Sequence, residues 1–360
     1  MLKDTALTWS WLNILTKRRY DALVQAFGDM DETINRIDRE LLKNLGCKNE
    51  TVEMTIKRLE KFSPSSYFKR LGELGIGFVS IEDPSYPKSL LEIPDPPVFL
   101  YFKGSLDILK EPCIGCVGTR EMSAYGKRAV QEFIPSFVRA GAVTVSGLAL
   151  GIDAQVARET IDAGGKTAAV LGNGLSSVYP RSNSKLADEI IGSGGLILSE
   201  FPLDQKPDKY TFPSRNRIIA GLSLGTIVLE AGEGSGALIT ADLALDYGRE
   251  VFAVPGQIFD ENFTGCNREI AKGHAKLVLS ADDVLCEIGI IPASGENIAA
   301  YEPKNDIEKS LYMILTSMPQ SLDEISEKSN LKAGEINSAL TVLELSGAAK
   351  NLGGGLWIRG

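Results

Sequence analysis

Two patterns of apolar positions divide the chain. Through the first sixty residues they recur at spacings of three and four: Trp11, Leu12 and Leu15, then Tyr20, Leu23, Val24 and Phe27, then Ile34, Ile37, Leu41 and Leu42. Each set falls on one face of a helix, and Gly28, Asp31 and Gly46 supply the breaks between helices. From Cys113 onward the apolar residues come instead in short continuous runs, each followed by a glycine-bearing loop and an amphipathic segment. Such runs predict strands covered on both faces, at Cys113–Val117, Ala142–Val145, Thr167–Leu171, Leu196–Leu198, Thr226–Glu230, Val251–Val254 and Leu277–Leu279. The fold class is therefore α/β, a doubly wound and mostly parallel sheet. Ligands of such sheets bind at the carboxyl ends of the strands. Five loops gather there: GTR (118–120), SGLALGID (146–153), GNGLSSVYPRSN (172–183), SEFP (199–202) and EAGEGSGALIT (230–240).

The helical segment 1–62 reads as a small domain of its own. Its stretch LLKNLGCKNETVEMTIKRL fits a helix-hairpin-helix or SAM-like unit that touches DNA, and helical packing alone explains it equally well. A break at FSPSS follows, then a proline-rich segment with Pro84, Pro87, Pro94, Pro96 and Pro97. Proline cannot serve in a central strand, so residues 63–110 are expected as an ordered extended collar with short strands, the first part of a main domain over 63–288. A linker over 289–305 leads to three short amphipathic segments. They carry Ile307, Leu311, Ile314 and Leu315, then Leu322 and Ile325 after a Ser321 cap, then Ile336, Leu340 and Leu343 ending at Gly347. With Ala348–Ile358 as a glycine-turned wing, residues 306–360 predict a winged helix. Its third helix offers only Lys332 at its start and carries Glu335 and Glu344, which favours a protein contact or an accessory DNA role.

The most informative stretch is FPSRNRIIAGLSLGTIVLEAGEGSGALIT, 212–240. Pro213 suits the first turn of a helix, which would present Arg215, Asn216 and Arg217 at its mouth and break at Gly221. After the strand, Gly232, Gly234 and Gly236 let backbone N–H groups face an anion at the next helix start. Both halves suit phosphate. Phe212 is either a stacking surface or core, and Arg215 or Arg217 either meets phosphate or pairs with Glu200 or Glu230.

Composition narrows the chemistry. With 360 residues, 44% hydrophobic and 24% charged, the chain has the size of two or three ordinary soluble domains. No eighteen-residue apolar window occurs, and the Met-Leu-Lys-Asp start lacks the basic-then-apolar pattern of a signal peptide, so a cytoplasmic protein without membrane contact is expected. A net charge of −9 argues against a generally nucleic-acid-coated surface while leaving room for a local basic groove. The single histidine, His274, leaves little room for a serine or cysteine triad or a histidine-rich metal site. Of five cysteines only Cys113 and Cys116 form a CxxC, and strand alternation sends their sulfurs to opposite faces, which suits apolar packing rather than metal. Neither metal nor cofactor is expected. Gly232, Gly234 and Ala237 satisfy GxGxxA, yet the ribose-binding acid due about twenty residues later is replaced by FAVPG. A nucleotide or nucleoside hydrolase of the lysine-decarboxylase-like group is the alternative, since EAGEGSGALIT partly resembles its PGGxGTxxE loop. Glu230 and Glu200 would be its acid and base.

In order along the chain, GTR, SGLALGIDA, YPRSN, SEFP, FPSRNRIIAGLS, EAGEGSGALITA, VFAVPG and TGCN resemble the DNA processing protein A family (DprA, also Smf), with DPSYPKSLLEIPDPPVFLY similar to its collar. The resemblance is dense over residues 80 to 280. It implies an extended Rossmann domain that binds single-stranded DNA without cutting it, dimerises, and helps load RecA recombinase during natural transformation, with single-strand-binding protein as a further partner. Carried over by position, the family's basic pocket falls on Arg120 and Lys209. Phe212 takes the base-stacking position, with Arg215 and Arg217 beside the backbone. Arg181 stands where many relatives carry lysine, which keeps the charge and changes the hydrogen-bond geometry. With the neighbouring loop residues, the candidate single-strand contacts are Gly118, Thr119, Arg120, Ser146, Gly147, Arg181, Asn183, Lys209, Phe212, Arg215, Asn216, Arg217, Gly234, Ser235, Gly236 and Thr240, with no catalytic residue among them.

Overall fold

A computed structural model describes residues 1–290, 303, 305–316, 319–329, 331–346 and 348–359. Most of the expected linker 289–305, and Gly347 at the expected end of the third winged-helix segment, lie outside them. The chain forms two compact units, Met1–Ala293 and Ser294–Gly360. The helical segment 1–62 falls within the first.

The first unit is built on a nine-stranded sheet among the described residues. Its strands are β1 (Gly77–Ser80), β2 (Phe99–Gly104), β3 (Cys113–Gly118), β4 (Val143–Ser146), β5 (Thr167–Val170), β6 (Leu196–Ser199), β7 (Gly225–Glu230), β8 (Glu250–Ala253) and β9 (Lys276–Leu277). They lie in the order β1-β2-β6-β5-β4-β3-β7-β8-β9. From β6 to β9 every neighbour pairs in parallel, while β1 and β2 add an antiparallel edge. The chain thus winds outward from β3 to β6, then returns to place β7 on the other side of β3. The collar prolines lie between β1 and β2, outside both strands, as the missing N–H requires.

The parallel strands are short and buried along their length because helices cover both faces. Helices Thr211–Leu222 and Gly236–Asp246 pack with Cys113 and Val228 on one face, while helix Ala124–Arg139 packs with Cys116 and Ile227 on the other. The two sulfurs of the CxxC therefore enter separate cores. Gly221 does not break its helix, which continues to Leu222. A Cβ there would meet Ile93 Cγ2 at 2.8 Å, so the glycine permits close packing against the collar. The helix begins at Thr211, two residues before Pro213.

At the N-terminus, helices Lys3–Leu12, Lys17–Phe27 and Asn49–Leu59 enclose a core around Trp9, Leu12, Leu23 and Leu42. The set Ile34 to Leu42 does not share one helix. It divides between a 3-10 turn, Asp31–Arg36, and a short helix, Arg39–Asn44, because the Asp38 carboxylate accepts the Leu41 N–H at 2.8 Å and caps a new start.

The second unit has helices Asp306–Ile314, Leu322–Ser329 and Ala333–Leu345, with a three-stranded sheet of β10 (Gln320–Ser321), β12 (Leu356–Arg359) and β11 (Ala349–Gly353) in that order. This is a winged helix. Leu311, Ile325, Ile336, Leu340 and Trp357 form its core, and Gly353, Gly354 and Gly355 turn the wing with φ of 86°, 62° and 79°. At its third helix the Glu335 carboxylate accepts the Lys332 N–H at 3.0 Å.

Candidate nucleic-acid interface

Strand order places a crevice at the carboxyl ends of β3 and β7, where the loops leave in opposite directions. A cavity of about 870 Å³ occupies it. Gly118 at the end of β3 with Thr119 and Arg120 after it, Asp153 after β4, Tyr179 after β5, Lys209, Phe212, Pro213, Arg215 and Asn216 after β6, and Gly232 to Ala237 with Ile239 and Thr240 after β7 all contribute to its wall.

The β7 loop brings a helix N-terminus to this cavity. Gly234 has a φ of 77°, and Ser235 Oγ caps the helix by accepting the Ala237 N–H at 3.3 Å. The first turn of Gly236–Asp246 carries no acidic residue, which leaves its positive dipole end suited to an anion. Thr240, one turn on, completes this side.

Arg120, Lys209 and Phe212 line the same cavity. Arg120 and Lys209 are exposed and Phe212 is half-buried. The Arg120 guanidinium carbon lies 5.7 Å from the Phe212 ring centroid, within cation–π range. Behind Phe212 lies Gly172, where a Cβ would meet Phe212 Cδ1 at 2.8 Å. The absent side chain is what admits the ring. Acidic groups share the rim, but Glu233 pairs with Arg268 and the Asp208 carboxylate accepts the Tyr210 N–H at 3.0 Å.

Beneath the cavity lies a buried polar network. Arg215 is only 5% exposed, and its guanidinium donates to the carbonyls of Gly147, at 2.8 Å, and Val170. Asp153 Oδ2 accepts the N–H groups of Gly147 and Ala149 at 3.0 and 3.3 Å. Burial pushes the Asp153 carboxyl above the ordinary carboxylate range while Arg215 opposes that rise, and burial brings Arg215 down to about 10. Arg215 remains a cation at neutral pH. Gly147 is required here because a Cβ would come within 2.4 Å of the guanidinium. Asn183 is buried as well and donates to the carbonyls of Leu148 and Ala149 at 3.0 and 3.2 Å. Leu148, between these contacts, holds a left-handed φ of 54°, strain that the surrounding hydrogen bonds sustain.

The sixteen candidates thus separate. Gly118, Thr119, Arg120, Lys209, Phe212, Arg215, Asn216, Gly234, Ser235, Gly236 and Thr240 line the cavity. Ser146, Gly147 and Asn183 do not form its wall: Ser146 and Asn183 are buried, and Gly147 seats the guanidinium. Arg181 is exposed on the turn beyond Tyr179. Arg217 departs most from the expectation. It pairs with Glu200 and, at 3.8 Å, with Asp95, in the wall of a separate cavity beside the N-terminal helices. The helix mouth expected to hold Arg215, Asn216 and Arg217 together does not exist, since successive helical positions diverge by about 100°. Asp153 and Tyr179 were missed. Asp153 gave a signal, an acid directly after a glycine-rich strand loop, whereas nothing local marks Tyr179.

The carboxylates suited to acid–base work have other duties. Glu230, pushed upward by burial, accepts the N–H of Ser123, the residue that caps the helix starting at Ala124, at 3.0 and 3.1 Å. A Cβ on Gly126 would collide with it at 1.7 Å. Glu200, likewise raised by burial and opposed by Arg217, is held in its ion pair. Among the described residues no group of histidine, cysteine or acidic side chains has the arrangement of a metal site, and no helix is long and apolar enough to cross a membrane.

The family described as DNA recombination-mediator protein A matches residues 77–289, more than half of the chain. The chain belongs to the DprA/Smf family. The DprA winged helix domain matches residues 297–355. The DNA processing protein DprA of Streptococcus pneumoniae is 43% identical over 257 residues, 70% of this chain and 88% of its own length. Protein Smf of Escherichia coli is 36% identical over 277 residues, 75% and 74% of the two lengths. The crystal structure of the S. pneumoniae DprA superposes with a TM-score of 0.69 at 38% identity, covering 79% of this chain and 98% of that one. A DprA structure from Helicobacter pylori, described for that protein's single-stranded DNA binding mode, gives 0.53 at 30% identity, covering 59% of this chain and 95% of that one. This DprA/Smf chain is thus a member of a DNA-processing, recombination-mediator family, and its cavity lies within the segment that carries the membership.

Proposed function

We propose that the protein is a non-catalytic, single-stranded DNA-binding recombination mediator. In the cytoplasm it shields incoming single strands and loads RecA onto them during natural transformation, acting as a homodimer with single-strand-binding protein as a further partner. One observation carries the DNA-binding part: the cavity at the β3–β7 crossover gathers two exposed cations, Arg120 and Lys209, the half-buried Phe212 and the N-terminus of a helix whose first turn carries no acid. Cations and backbone N–H groups neutralise phosphate, and a single aromatic surface accepts any base. The H. pylori relative described for its binding of single-stranded DNA supports the same reading.

The test is a gel shift of labelled oligo-dT with wild type and the double variant Arg120→Glu, Lys209→Glu. Both side chains are exposed, so the melt followed by circular dichroism should be unchanged while retention is lost. Normal retention at moderate salt would remove the groove. Nucleotide hydrolysis is disfavoured by the positions of Glu230 and Glu200, one bonded to the Ser123 N–H and the other paired with Arg217. A turnover assay with wild type and Glu230→Gln checks this directly, and release of base or ribose phosphate by wild type alone would reverse the choice.

A further inference from the structure

Phe212 does not present an unobstructed face. Gly172 lies against the ring where a Cβ would sit 2.8 Å from Cδ1, and the Arg120 guanidinium lies 5.7 Å from its centroid. Any base stacking there must first move Arg120. Tyr179, in the same wall, is 45% exposed and its ring centroid lies 5.6 Å from that of Phe212 at an interplanar angle of 44°. Sandwiching one base between two rings needs near-parallel planes separated by about twice the 3.4 Å base spacing, roughly 7 Å. The two rings are too close and too tilted to clamp one base between them.

Tyr179 is also rigidly mounted. The loop that bears it is fixed at its start by Gly174 N–H to Gln205 O at 2.9 Å and Ser176 N–H to Leu203 O at 3.1 Å, and at its end by the two Asn183 bonds beneath the cavity. Asn173 Nδ2 ties its middle, donating to the carbonyls of Gly174 and Ser177 at 3.0 and 2.8 Å. An aromatic ring on a pinned loop loses little conformational freedom when a base stacks on it. Arg181, two residues further on, is exposed.

We propose that Tyr179 is a second base-stacking surface of the cavity, taking the nucleotide next to the one on Phe212. This rests on the reading of the cavity as a single-strand groove. The full-length protein is titrated by fluorescence anisotropy against labelled oligo-dT and against an equally long strand of abasic tetrahydrofuran units. Tyr179→Ala should weaken oligo-dT binding by about 5- to 150-fold, the range of one lost stack, with the salt slope unchanged. Tyr179→Phe should stay within about twofold of wild type. On the abasic strand, wild type and Tyr179→Ala should bind alike, since the ring has no base to meet. Unchanged oligo-dT affinity in Tyr179→Ala, or an equal loss on both strands, overturns the proposal and leaves Tyr179 as a loop support. If wild type itself fails to hold oligo-dT, the groove reading falls, and the stacking role with it.

Discussion

Arg215 and Arg217 show how much one helical step changes a side chain's work. Both look like phosphate contacts in FPSRNR, yet Arg215 points under the cavity to bind the Gly147 and Val170 carbonyls, and Arg217 points away to Glu200. Removing Arg215 takes a charged donor from two buried carbonyls and a nearby positive charge from Asp153, a costly loss in a dry interior. Arg215→Met should therefore destabilise the first unit by about 3 kcal/mol or more in urea unfolding. A variant as stable as wild type that has lost only DNA affinity would mean that this guanidinium serves the ligand instead. Phe212 resisted assignment for a related reason: a half-buried ring satisfies both the core and the stacking interpretation until Gly172 is seen behind it.

Local rules carry the elements themselves. Buried strands of four to six residues declared themselves as apolar runs, and their ends moved by no more than a residue or two from the expected limits. Where elements differed, a cap or a packing contact was responsible, as with Asp38 splitting a helical pattern and Gly221 fitting against Ile93. The capping box at helix Ala281–Glu287 gives a prediction at this scale. Asp283 accepts the N–H groups of Leu279 and Ser280, both at 2.8 Å, and these bonds hold its carboxyl below the ordinary carboxylate range. A depressed folded-state value means stabilisation that is full above the unfolded pKa and lost as pH falls through the folded one. Asp283→Ala should cost about 1 kcal/mol at neutral pH, with the difference from wild type vanishing in strongly acidic buffer. Melts of the two proteins across that range check it, and a gap that persists in acid would assign the loss to something other than the carboxylate.

At the scale of the molecule, the sheet order decides which loops meet. Because β7 returns to the flank of β3, Arg120 and the Gly234–Gly236 loop border one cavity although more than a hundred residues separate them. Binding through so few cations should show a modest salt dependence, with each neutralised phosphate contributing about 0.7 to the logarithmic slope on a single strand. Arg120→Ala should lower that slope by about one such increment, measured as oligo-dT affinity across a salt series; an unchanged slope would mean that Arg120 meets no phosphate. The winged helix adds little positive charge at its third helix, where Lys332 is followed by Glu335 and Glu344.

Periodicity, caps and glycine positions are short-range properties, and from them the sequence alone determined the strands, most helices, the parallel sheet and the edge at which the loops gather. The ordered motifs added the family. Tertiary structure decided which side chains reach that edge. Helical rotation turned Arg215 inward and Arg217 aside, and the pairing of β5 with β6 brought Tyr179 beside Phe212. Those outcomes depend on contacts between residues distant in the chain, which no local pattern encodes.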